Sequence, residues 1–310
     1  MTAKIFLKLL NQYTEAIRNY CEALGWDYEK FKTSISDEGI SHPELYLEDP
    51  NEGILDRISQ FLEPSNQSSV LIIWDDVGMG KSSIRDFVSK SLDEVGSYHT
   101  VVITDPRLTP LQLLRAIADQ LDAKADVWND RGKVKEALWK RMLEVTGLGI
   151  NIVIWVDEAE KVDKNIISEL RALSDIKRED GSKLCKIILS GTPRLKEKLE
   201  DYIESRSSDV LAFDDRASLN TLRLNKWKPG DIYNYWNLLA EYCGGINPFS
   251  KEAAETVWEI SDGKPRTIAQ ITKLVINQKA MDYYKRGGAP EITPEFILDT
   301  IRKHLGEGSA

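Results

Sequence analysis

At 310 residues the chain has room for a full-sized core and a smaller module beside it. Its 42% hydrophobic and 29% charged content is a soluble globular profile, and no apolar run approaches the roughly eighteen residues of a membrane span. A balance of 41 basic to 50 acidic residues leaves a formal charge of −9, which argues against a large permanent nucleic-acid surface but not against a local basic stripe. The opening residues Met1-Thr2-Ala3-Lys4-Ile5-Phe6-Leu7-Lys8 soon turn polar and do not read as a signal peptide. Cys21, Cys185 and Cys243 lie far apart without C-x-x-C spacing, and His42, His99 and His304 are scattered. That usage predicts a cytoplasmic protein with no cysteine-based metal site.

In chain order, Ile5, Leu9, Leu10, Tyr13, Ile17, Tyr20 and Leu24 predict one helical face over 4–24, closed by Gly25. A second short helix is expected across Tyr28–Ile35. Two small helices about a glycine turn admit a helix-turn-helix, but Asp27 and Glu29 beside Lys30 and Lys32 make a poor face for phosphates. A docking arm or packing element fits better. Residues 37–50 are polar and acidic and read as a linker. A further helix is expected through Ile54, Leu55, Ile58, Phe61 and Leu62, stopped by Pro64.

The stretch Val70-Leu71-Ile72-Ile73-Trp74-Asp75-Asp76-Val77-Gly78-Met79-Gly80-Lys81-Ser82-Ser83 organises the rest. An apolar strand breaks into a glycine-containing turn and Gly-Lys-Ser, and Ile84, Phe87, Val88 and Leu92 then recur at helical spacing. Backbone N–H groups in such a turn wrap phosphates, the helix N-terminus adds partial positive charge, and Lys81 reaches the β and γ oxygens. Ser82 places its hydroxyl on Mg²⁺. Asp75 stands where the first glycine of G-x-x-x-x-G-K-[ST] belongs, and an aspartate tolerates the left-handed backbone expected there.

A second strand is expected over 99–104, then helices bearing Leu113, Leu114, Ile117 and Leu121, and Val134, Leu138, Trp139 and Met142. The run Ile150-Asn151-Ile152-Val153-Ile154-Trp155-Val156 reads as a strand buried on both faces, and Asp157-Glu158 lie at its carboxyl end. One carboxylate there organises Mg²⁺ and its neighbour orients or deprotonates water. Lys186-Ile187-Ile188-Leu189-Ser190 is a further strand ending in Gly191-Thr192-Pro193. Ser190 or Thr192 either contacts the γ-phosphate or merely caps the next helix. Residues 231–305 are predicted helical.

With those motifs in order, the sequence from 50 to 305 resembles the AAA+ ATPases, in the branch of origin-recognition ATPases and transposon regulators of the TnsC, TniB and MuB type. Gly80-Lys81-Ser82 resembles Walker A, with Val77, Gly78, Met79 and Ser83 around the nucleotide, and Asp157-Glu158 resembles Walker B. The turn Gly191-Thr192-Pro193 is similar to the sensor 1 region. Arg216 is similar to the arginine that reaches a neighbour's γ-phosphate, with Arg206 as its rival. Gly263-Lys264-Pro265-Arg266 resembles sensor 2, with Arg266 sensing. After the helical N-terminal arm and linker read over 1–49, the resemblance implies a parallel-sheet α/β P-loop domain over 50–226 and a helical lid over 227–310.

It also implies ATP and Mg²⁺ as ligands and catalytic roles for Lys81, Asp157, Glu158, Ser190, Thr192 and Arg216. The expected partners are further copies in a ring or helical filament, double-stranded DNA, and a transposase or targeting protein. No membrane partner is expected. No winged helix is expected after the lid, which favours transposon regulators over replication initiators. Arg107, Lys124, Arg131, Lys133 and Lys135 are the basic residues offered to DNA, against the plainer reading of a solvated helix surface. The alternatives are a replication-initiator-like ATPase of a plasmid or virus, and a signalling or defence ATPase that acts on a protein partner without touching DNA.

Overall fold

The structure, a computed structural model, describes residues 2–36, 39–40, 42–178, 181–204 and 220–306. The chain divides into two compact units: an α/β unit of Asn51–Val77 and Ile84–Leu224, and a helical unit of Met1–Pro50, Gly78–Ser83 and Asn225–Ala310.

The helical unit opens with α1 (Thr2–Leu24) and α2 (Tyr28–Ser34), joined by Gly25 at φ +73° as its glycine requires. A short antiparallel hairpin follows, β1 (Ile35–Ser36) with β2 (Gly39–Ile40). Later in the chain come α9 (Pro229–Cys243), α10 (Ala253–Ser261), α11 (Pro265–Arg286) and α12 (Pro294–Leu305). Tyr20, Leu24, Trp26, Phe31 and Leu45 share one core with Trp236, Phe249, Ile268 and Val275. Trp236 stacks on Phe249 at 4.0 Å between ring centres and donates its indole N–H to Thr272 at 2.9 Å. Of the two readings of the N-terminal helices, docking arm or packing element, they take the second and pack into the same core as the C-terminal helices. One expectation is revised here. The stretch read as a linker over 37–50 holds a strand and two 3-10 turns around fully buried Leu45, too short for a periodic signal.

In the α/β unit, α3 (Glu52–Leu62) precedes a five-stranded parallel sheet of order β4-β5-β6-β3-β7. Its strands are β3 (Val70–Trp74), β4 (Tyr98–Ile103), β5 (Asn151–Val156), β6 (Cys185–Gly191) and β7 (Thr221–Leu222). The helices are α4 (Lys81–Val95, entering the unit at Ile84), α5 (Pro110–Gln120), α6 (Arg131–Gly147), α7 (Lys164–Asp175) and α8 (Pro193–Glu204). The central strands are buried along nearly their whole length, which is why they read as continuous apolar runs rather than alternating ones. Register aligns the carboxyl ends: Trp74 pairs with Gly191 and Val156 with Leu189. Asp75, Asp157 and Thr192 therefore emerge from one edge of the sheet. At the opposite edge the buried Lys186 donates to the carbonyls of Phe61, Glu63 and Asn66, at 2.6, 3.2 and 2.7 Å, and closes the end of α3. Burial pulls its ammonium down to about 8.

Candidate functional site

Strand β3 runs out at Trp74 and α4 begins at Lys81, so Asp75–Gly80 form the loop between them. The left-handed positions are Gly78 at φ +86° and Gly80 at φ +93°, whereas Asp75 is not left-handed. The strain expected of Asp75 is thus carried by glycine, which has no Cβ to object. A side chain at Gly80 would meet nothing within 4 Å, so the loop borders open space there. Asp75 is buried instead. Its Oδ1 accepts the Asp76 N–H at 2.8 Å and faces Arg223 at 3.5 Å, while Arg223 also lies over the Trp74 ring. That cation answers the charge of an aspartate in a phosphate loop. Met79 is buried, Val77 is exposed, and Lys81, Ser82 and Ser83 make the first turn of α4. Within the helical unit, the Arg266 N–H donates to the Gly78 carbonyl at 3.1 Å, and a Cβ on Gly78 would stand 3.1 Å from Arg266 Cβ. Pro265 starts α11 at its first position, where a missing N–H costs nothing.

At the end of β5, Asp157 is 4% exposed and fully engaged. Its Oδ1 accepts from the Ser190 hydroxyl at 2.6 Å and from the Glu158 N–H at 3.0 Å. Ser190 in turn accepts the Trp155 indole N–H at 2.9 Å, so three buried side chains on β5 and β6 form one hydrogen-bonded line. Asp157 Oδ2 is ion-paired with Arg85 of α4. Glu158 sits at φ +49°, uncommon for a residue with a side chain, and its half-exposed carboxylate pairs with Lys161. The carboxylate of Glu160 accepts the Thr192 N–H at 3.2 Å, and the Lys198 ammonium donates to the Glu160 carbonyl at 2.9 Å. Of the two sensor alternatives, Ser190 lies inside β6 and orients Asp157. The Thr192 hydroxyl is buried and makes no hydrogen bond among the described residues.

Arg216 and Arg206 lie outside the described residues. Among the basic residues, Arg131 and Lys135 both pair with Glu169, which is 2% exposed, so their charges answer a buried carboxylate. Arg107 forks onto Asp105 at 2.9 and 2.8 Å and holds that carboxyl down at about 2. Lys133 is exposed. Lys124 is exposed too and, with Asp122 of the loop after α5, lines a cleft along α6 with Lys140, Arg141 and Glu144, the last two paired at 3.3 Å. Sequence reading missed Arg85, Trp155, Glu160, Lys140 and Arg141. Only Arg85 carried a local signal, standing one helical turn beyond Ser82.

Comparison with known proteins agrees with this geometry. Residues 64–199 match the AAA domain. General secretion pathway protein A of Aeromonas hydrophila is 23% identical over 218 residues, covering 70% of this chain but only 37% of that protein. The ORC2 protein of Aeropyrum pernix, solved as ADPNP–ADP complexes, superposes with a TM-score of 0.61 at 16% identity over 86% of this chain and 72% of its own. The ORC1 protein of Aeropyrum pernix in complex with DNA gives a TM-score of 0.55 at 14% identity, over 82% and 65% of the two chains. At such identities the likeness establishes the fold. With the Gly-Lys-Ser loop and the Asp-Glu strand end in place, the chain carries an AAA-type P-loop ATPase domain followed by a helical C-terminal region.

Proposed function

We propose that the chain is an ATP-hydrolysing oligomeric switch that binds double-stranded DNA in its ATP-loaded state and there recruits or regulates a transposase or targeting protein. The catalytic half rests on the Trp155–Ser190–Asp157 line ending beside Glu158 at the carboxyl edge of the sheet, where open α/β sheets take their ligands. The left-handed Gly78 and Gly80, with open space at Gly80, suit a loop that wraps phosphates. In this reading the N–H groups of Val77–Ser83 and the Lys81 ammonium neutralise the phosphate oxygens, aided by the α4 N-terminus. The Ser82 hydroxyl and the Asp157 carboxylate are hard oxygen donors that would hold Mg²⁺, which when bound would offset the negative charge of the phosphates. Glu158 takes the proton of the attacking water. Ser190 keeps Asp157 in orientation, Thr192 offers a hydroxyl to the γ-phosphate, and Arg266 reads that phosphate. Arg216, or Arg206, enters from a neighbouring subunit.

The DNA half draws on the likeness to the DNA-bound ORC1 structure and on exposed Lys124, Lys133 and Lys140, the cleft that holds Lys124 and Lys140 also carrying Asp122 and an Arg141–Glu144 pair. Weak contacts of this kind sum over many subunits. The test is filament or ring formation on duplex DNA at low salt, with and without nucleotide. Lys81→Ala abolishes ATP binding, and Glu158→Gln binds ATP, loses turnover and stays on DNA longer. Binding falls steeply with salt as phosphate contacts release counterions. Turnover by Glu158→Gln equal to wild type removes the catalytic assignment. The secretion-pathway relative favours a second reading, an ATPase acting on a protein partner. ATP-driven oligomers that ignore DNA leave that reading in place.

A further inference from the structure

The loop between β3 and α4 opens on Asp75, the residue that departs from the phosphate-loop pattern, and the edge strand β7 brings a cation to it. Strand β7 pairs with β3 in parallel register, Ile72 with Thr221 and Ile73 with Leu222. One step further along both chains, Arg223 falls beside Trp74. Leu222 and Leu224 are buried and fix the strand from one side, so Arg223 between them faces the other way. Its guanidinium carbon stands 4.6 Å from the centre of the Trp74 ring, and one terminal nitrogen lies 3.5 Å from Asp75 Oδ1. An arginine suits this double task, because it stacks on an aromatic ring while offering N–H groups to a carboxylate.

Asp75 is held by both its main chain and its side chain. Its N–H donates to the Gly191 carbonyl at 3.1 Å, and its Oδ1 accepts the Asp76 N–H at 2.8 Å. The carboxylate therefore does not turn away from an arriving anion without giving up these bonds. Its side chain is 5% exposed, so little water screens its charge. The other charges nearby are placed differently. Asp76 is exposed, and Lys196 of α8 reaches the Trp74 ring at 5.7 Å but pairs with Glu200 at 3.7 Å. Of these cations it is Arg223 that meets the Asp75 carboxylate.

We propose that Arg223 is a positioning residue for nucleotide binding: it cancels the charge of Asp75, so that the loop after β3 accepts a polyphosphate although an acid stands where the pattern has glycine. Arg223 acts through Asp75 and does not touch the phosphates. Stripped of this counter-ion, a buried carboxylate at the start of the loop repels the anion that the loop N–H groups and Lys81 attract. With a neutral residue at position 75 the need for Arg223 disappears. The inference rests on the proposed phosphate-binding role of this loop, and it requires neither hydrolysis nor DNA.

The experiment titrates the full chain with a fluorescent, non-hydrolysable ATP analogue in the presence of Mg²⁺, in wild type, Arg223→Gln, Asp75→Asn and the double variant. Asparagine keeps the oxygen that accepts the Asp76 N–H and loses only the charge. Arg223→Gln binds at least roughly tenfold more weakly than wild type. Asp75→Asn binds more tightly than wild type. The double variant, in which the pair is again neutral, returns to within roughly threefold of wild type. Circular dichroism and urea melts check the fold. A purely structural Arg223 lowers stability in both Asp75 backgrounds and gives no such rescue of affinity. If Arg223→Gln does not fold, Asp75→Asn alone carries the test, and binding no tighter than wild type overturns the inference. Equal affinity of wild type and Arg223→Gln also overturns it. So does a double variant as weak as Arg223→Gln, which puts Arg223 on the phosphates itself. These results leave the phosphate loop standing, whereas a wild type that binds no analogue overturns the loop reading as well.

Discussion

Asp157 is held by three different kinds of donor: a hydroxyl, a backbone N–H and a guanidinium. Burying a carboxylate is costly unless its oxygens are hydrogen-bonded and its charge is paired, and here both oxygens find donors. Arg85 supplies the charge and is itself only 12% exposed in its side chain. Truncating one member of such a pair strands the other, so Arg85→Ala should cost about 3 kcal/mol of stability in urea melts. Asp157→Asn in the Arg85→Ala background should cost much less than Asp157→Asn alone, giving a coupling of about 1 kcal/mol or more in the double-mutant cycle. Independent, additive effects would show that Arg85 is not the partner that matters. Glu158 is different in kind: left-handed, half exposed and paired with Lys161, it is positioned by backbone rather than by burial.

Among the elements, the seating of α1 and α2 on α9 is fixed by backbone as much as by side chains. The Ile246 N–H donates to the Leu24 carbonyl at 3.0 Å, the Asp27 N–H donates to the Cys243 carbonyl at 2.7 Å, and the Trp26 indole donates to the Ile246 carbonyl at 2.9 Å. Gly245 sits inside this junction, where an added Cβ would stand 2.1 Å from the Leu24 carbonyl oxygen. Backbone cannot move aside as a flexible side chain can. Gly245→Ala should therefore destabilise by roughly 2–4 kcal/mol, a large single-residue effect. It should also raise hydrogen exchange at Ile246 and Asp27. Unchanged melting would mean that the junction yields without cost.

For the molecule as a whole, the buried titratable groups set its alkaline limit. Burial pushes the thiols of Cys21, Cys185 and Cys243 up to about 12, and raises the phenols of Tyr20 and Tyr235 as well. Each has a folded pKa above its unfolded one, so its contribution is complete below the unfolded value of 9.0 for cysteine and is lost as pH rises toward 12. Lys186 opposes them: its folded value near 8 lies below 10.5, so it adds stability as pH rises between those points. Five groups against one predict a denaturation midpoint that falls above pH 9. Lys186→Met should make the fall steeper. The thiols should resist a disulfide reagent until the chain unfolds. A midpoint rising through that range would contradict the burial.

The sequence by itself determined what is local and periodic. The apolar runs of β3, β5 and β6, the Gly-Lys-Ser turn into α4 and the acidic pair after Val156 follow from burial on both faces and from short-range geometry. Gly25 as the stop of α1 was legible for the same reason. Tertiary structure decided what depends on distant pairs. Arg85 meets Asp157 across 72 residues, and Ser190 meets it across 33, neither of which any periodicity records. The charges of Arg131 and Lys135 looked available until Glu169, far along the chain, was found buried between them. The N-terminal helices admitted a docking arm or a packing element because their apolar face is complete in sequence, and only folding shows that Ile17, Tyr20 and Leu24 join the core of the C-terminal helices while Leu9, Leu10 and Tyr13 stay exposed. A helix declares which face is apolar, but its partner is chosen by which other face happens to be brought beside it.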